Sequence, residues 1–121
     1  SLRRMLDPIK EHVDNNFNPL PAEYIKEFMP IRQKINDLMK MSCEQIETSR
    51  YENYREILAE ADACKDELSV IRKKHIDRLQ NMKDNTLMQI SLVYLNVLQE
   101  SQEFLSVMRH QLRAAKKFME N

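Results

Sequence analysis

Asp62 and Asp66 stand four residues apart, a spacing that projects both carboxylates from the same side of a helix. Glu100 and Glu103 recur farther along the chain. Folding the chain back over the short polar stretch Lys83-Asp84-Asn85 sets Asp66 opposite about Glu100, and Asp62 opposite about Glu103, in a helical hairpin. Four carboxylates gathered at one level repel one another unless a cation, a basic side chain or a proton answers them. Hard oxygen donors suit Mg, Ca, Mn or oxidised iron better than thiophilic metals. The same acids also fit a solvated face neutralised by Lys65 and neighbouring bases, and the spacing does not choose between the two.

Other chemistry finds less footing. The di-iron bundle signature needs Glu-x-x-His, and none of His12, His75 and His110 has Glu three residues before it. Cys64 and His75 lie three helical turns apart, too far to act as a nucleophile and its base. Cys43 and Cys64 show no zinc spacing and are expected as small core residues in a reducing compartment. His75 falls on an apolar stripe and is expected to be a satisfied core residue. Arg72-Lys73-Lys74 and the bases from Arg109 to Lys117 complement helix C-termini, or meet anionic lipid heads or phosphate.

These residues need long helices to carry them. The chain has no glycine, which excludes phosphate-cradling loops, dinucleotide fingerprints and nucleophile elbows, and leaves Asn, Asp and Pro to make the turns. Apolar residues make up 42% of the 121 and charged residues 31%, a balance that supports one buried core. The 19 acids and 19 bases cancel, which argues against bulk nucleic-acid binding. No apolar run approaches the roughly 20 residues of a membrane span, and no signal peptide is visible. The chain opens at Ser1 rather than Met, as a processed protein or a domain of a longer one does.

Residues 1–20 read as a short helix and a Pro/Asn-rich linker. Asp7 is expected to cap a helix starting at Pro8, and Asn15-Asn16-Phe17-Asn18-Pro19 to stop it. The unit fits either packing on the body or connecting to something else. Residues 21–121 read as three helices. The first spans about Ala22 to Thr48, with a kink or restart expected at Pro30. The second spans about Arg50 to Met82, with Ser49 and Glu52 as a capping box. The third spans about Asn85 to Met119, capped by Asp84. Stripes such as Ile57-Ala61-Leu68-His75 and Leu87-Tyr94-Leu98-Leu105-Leu112 imply an all-α, up-down-up antiparallel bundle of three long helices with a short extra N-terminal helix.

Two stretches resemble one family. Glu60-Ala61-Asp62-Ala63-Cys64-Lys65-Asp66-Glu67-Leu68 is similar to the acidic helix of PhoU-like proteins. Tyr94-Leu95-Asn96-Val97-Leu98-Gln99-Glu100 is similar to the matching element of the next helix, and Glu103 to Lys116 to the last helix of PhoU-like domains fused to phosphate permeases. The resemblance covers about residues 22–119. It implies a non-catalytic regulatory domain of an inorganic phosphate transporter, cytoplasmic and at the inner face of the membrane. Its partners would be the membrane transport domain or another copy of itself. The resemblance also implies metal positions at Asp62, Asp66, Glu100 and Asn96, for a divalent or trivalent ion such as Fe, Mn or Mg. Asn96 stands where the family has an acid, and Glu100 also departs from the pattern. A ligand-free helical scaffold or oligomerisation module is the alternative, and a metalloenzyme on a bundle is disfavoured because no histidine joins the acids.

Overall fold

The computed structural model describes residues 1–17 and 19–120. Among the described residues there are four helices and no strand: α1 (Leu2–Phe17), α2 (Ala22–Thr48), α3 (Tyr54–Gln80) and α4 (Asn85–Glu120). Cross-helix pairs fix their directions. Arg32 meets Asp14 while Arg3 meets Glu47, so α1 and α2 run antiparallel. Lys34 meets Glu67 while Glu27 meets Arg78, which makes α2 and α3 antiparallel as well. Arg109 meets Asp62 while His75 meets the Ser91 carbonyl, and so α4 returns along α3. α4 packs on α3 and α1 and, across the centre, on α2.

α1 departs from expectation. Its helix starts at Leu2 and runs through Pro8. Ser1 begins it: its hydroxyl accepts the Arg4 N–H at 3.3 Å and its carbonyl accepts the Met5 N–H at 3.2 Å. Pro8 removes only the bond to the Arg4 carbonyl, and both residues face water, where solvent replaces the lost donor. Burial of Leu2 and Leu6 holds the first turns in place. Leu2, Leu6, Val13 and Phe17 join the same core as the other three helices, each worth about 1.5–3 kcal/mol in apolar burial. Asn18, part of the expected helix stop, lies outside the described residues, as does Asn121.

α2 occupies the expected span and is helical straight through Pro30, without a restart; the ring sits on the exposed side. α3 begins later than expected because Ser49 serves α2 instead of capping α3. Ser49 closes α2 in the left-handed conformation, φ 55°, and its N–H returns to the carbonyls of Gln45 and Ile46. Glycine is the usual residue for that task and the chain has none. Asn53 precedes α3 without a side-chain cap. Asp84 does cap α4, accepting the N–H groups of Thr86 at 2.8 Å and Leu87 at 3.1 Å. On the core stripes, Leu87 is more exposed than its spacing implies, and Tyr24, Ile31 and Phe104 are buried without having been anticipated.

Two substitutions test this account by chemical denaturation. Ser49→Gly relieves the left-handed strain and is expected to raise stability by about 0.5–1 kcal/mol. Leu6→Ala, at a site with no exposed surface, is expected to cost about 2–5 kcal/mol.

Candidate functional site

Three helices each send an i, i+3 pair into the core at one level, near the α3–α4 turn. The pairs are Tyr24 and Glu27 from the start of α2, His75 and Arg78 from the end of α3, and Ser91 and Tyr94 from the start of α4. That spacing puts both members of a pair on one helix face. Local structure sets where each helix begins. The Pro21 carbonyl accepts the N–H groups of Tyr24 and Ile25, which turns Tyr24 inward in the first turn of α2, and the Asp84 cap fixes the start of α4.

The six side chains satisfy one another. The Tyr24 and Tyr94 rings stack with centroids 4.6 Å apart and 4° between planes. The His75 ring meets both edge-on, at 4.9 and 4.8 Å. His75 Nε2 donates to the Ser91 carbonyl at 2.7 Å, so its Nδ1 holds a lone pair, toward which Arg78 Nη1 lies at 3.4 Å. Tyr94 donates its hydroxyl proton to Glu27 Oε1 at 2.9 Å, and Arg78 Nη2 reaches Glu27 Oε2 at 2.5 Å. The Tyr24 hydroxyl and Ser91 Oγ lie 2.8 Å apart. Lys74 approaches Glu27 from the solvent side at 3.5 Å.

Titration follows from this geometry. Burial pushes Glu27 up, but the bonds from Arg78 and Tyr94 outweigh it and hold the carboxyl below its ordinary value. Burial opposes the charge on Arg78, and Glu27 outweighs that too. Burial, then Glu27 itself, raises the Tyr94 phenol. Burial lowers His75, Arg78 lowers it further, and the Ser91 carbonyl opposes both only in part. The cluster therefore consists of a neutral His75 imidazole, a protonated Tyr94 phenol stacked on the Tyr24 ring, and one compensated ion pair. Each group is committed to a neighbour, which suits it to fixing helix register rather than to proton transfer. The cysteines are likewise withdrawn: burial raises the Cys64 thiol to about 11 and lifts Cys43 as well.

The acidic positions nominated from sequence are placed differently. Asp62 accepts from Arg109 Nη2 at 3.0 Å in the α3–α4 seam. Glu100 turns to the opposite flank of α4 and meets His12 Nδ1 of α1 at 2.7 Å. Glu103 borders the same α1 side, in a shallow depression shared with Pro8 and His12. Asp66 and Asn96 are exposed. The four-carboxylate level does not form. Among the described residues, no group of three His, Cys, Asp or Glu side chains is placed to hold a metal ion. The hairpin pairing set Asp66 at about the level of Glu100, in keeping with Gln102 bonding the Lys65 carbonyl and Ser69, whereas Asp62 meets Arg109, six residues beyond the expected Glu103. What it lacked was α1, which claims the other flank.

His75 and Tyr94 were legible as stripe residues. Glu27 and Arg78 were not, because nothing in their spacing says that they face each other from different helices.

Folded His75 takes up a proton less readily than unfolded His75. As pH falls below 6.5 the unfolded chain therefore gains protons first and stability drops. Glu27 adds a second loss as pH falls below 4.5, since its folded carboxyl resists protonation. Denaturation midpoints measured across that range are expected to decline toward acid, and His75→Gln is expected to flatten the decline nearest 6.5. A scan against family models finds no match to this chain, and searches of curated proteins and of solved structures find none either.

Proposed function

We propose that this chain is a binding module of the PhoU-like kind: a non-catalytic regulatory domain of an inorganic phosphate transporter that acts by docking on the transport domain or on another copy of itself. The observation that carries the reading is the disposition of the two family-like segments. Glu60–Leu68 on α3 and Tyr94–Glu100 on α4 lie on neighbouring antiparallel helices and turn Asp66 and Asn96 to solvent, where a partner can reach them. The withdrawal of the reactive groups supports it too, since His75, Tyr94, Cys43 and Cys64 are all buried. Docking regulates transport when the module binds one transporter state more tightly than the other. No metal enters this account, because Asp62 and Glu100 are engaged on opposite flanks of α4.

The test is phosphate uptake. The gene's complete reading frame, expressed in cells lacking their own phosphate importers, is expected to change uptake of labelled phosphate. Placing positive charge at the exposed positions, Asp66→Arg with Asn96→Arg, is expected to shift that rate by about fivefold to tenfold, the scale of a coupling of about 1–1.4 kcal/mol. Uptake unaffected by the gene retires the transporter assignment. Uptake that responds to the gene but not to either substitution favours a passive scaffold.

A further inference from the structure

We propose that the C-terminal part of α4 is a docking surface for an anionic lipid bilayer, with the phosphodiester headgroups as its ligand. This inference rests on the chain's own surface and stands apart from the transporter assignment. Between Glu103 and Glu120, α4 carries no acid, and in that interval it carries Arg109, His110, Arg113, Lys116 and Lys117. Two of these are engaged: Arg109 with Asp62, and Lys116 with Glu120 and over the Tyr54 ring at 5.0 Å. Among the described residues, His110, Arg113 and Lys117 have no ion-pair partner, and all three are exposed. Together with Lys116, Tyr54 and Glu120 they border an open cleft of about 550 Å³.

Complementing the helix dipole does not account for the cluster. That effect fades beyond the last turn, which here contains only Lys117 of the bases. Arg113 and His110 lie one and two turns upstream. The same last turn of α4 also exposes Phe118, by 79%, and Met119, by 55%. A large aromatic side chain next to a cation cluster is the combination that an interface takes up, with the ring at the acyl boundary and the bases among the headgroups. A free phosphate ion gains nothing from Phe118, which is 79% exposed.

Co-sedimentation of the purified chain with vesicles decides the matter. Vesicles of phosphatidylcholine with phosphatidylglycerol are expected to carry the chain down, and those of phosphatidylcholine alone are not. Added salt weakens the capture. Arg113→Gln and Lys117→Gln, both at exposed positions, are each expected to lower partitioning about fivefold, the effect of one base at an anionic surface. Phe118→Ser lowers it as well. Lys73→Gln, toward the opposite end of α3, leaves it unchanged. Circular dichroism checks that each variant keeps its helices. Four results overturn the proposal: no capture by anionic vesicles, equal capture by neutral ones, an equal loss with Lys73→Gln, or release by inorganic phosphate at constant ionic strength. The last would make the cleft a site for the free ion.

Discussion

Burial of one continuous stripe on α4 is the constraint on which the rest of the structure depends. Tyr94, Leu98, Leu105, Met108 and Leu112 have no exposed surface, and each of the other three helices rests on this helix. Its two flanks then receive different neighbours. α3 takes the flank bearing Gln102 and Arg109, and α1 takes the flank bearing Glu100. Every side-chain assignment on α4 follows from which neighbour claims which flank.

That division explains what could be read from the sequence. Apolar periodicity and local end signals are properties of one segment at a time. They located α2 to the residue, placed the start of α4 at its Asp84 cap, and put His75 and Cys64 in the core. Rotation about a helix axis relative to several partners is a property of the whole assembly. Glu100 was thus placed at about the right height but on the wrong side, since hairpin counting considers only two helices. Pro8 and Ser49 misled for a related reason. Each carries a strong local preference, and each was overruled by burial or by the need to close a preceding helix without glycine.

The polar cluster and the apolar core occupy different lengths of the bundle. α1 is 16 residues long, against 27 for α2 and α3, and it covers the part where α2 runs toward its C-terminus. Four helices surround the core there. Beyond Phe17, where Tyr24, His75 and Tyr94 meet, three do among the described residues. The narrower section thus gains its cohesion from directional bonds and ring stacking as well as from area, and a partly buried ion pair held by two further donors is stable only while those donors stay in position.

Apolar stripes alone discriminate poorly between neighbouring alignments of antiparallel helices, because sliding one rod by a single turn, about 5.4 Å, brings a similar ridge into a similar groove. The three i, i+3 pairs remove that ambiguity. A slip of one turn between α3 and either neighbour strands the partly buried Glu27 carboxylate without its guanidinium, or the fully buried His75 N–H without its carbonyl. The end of the molecule with the fewest helices is therefore the one where polar bonds keep count in the interior, and the thicker end, whose interior is mostly hydrocarbon, follows its lead.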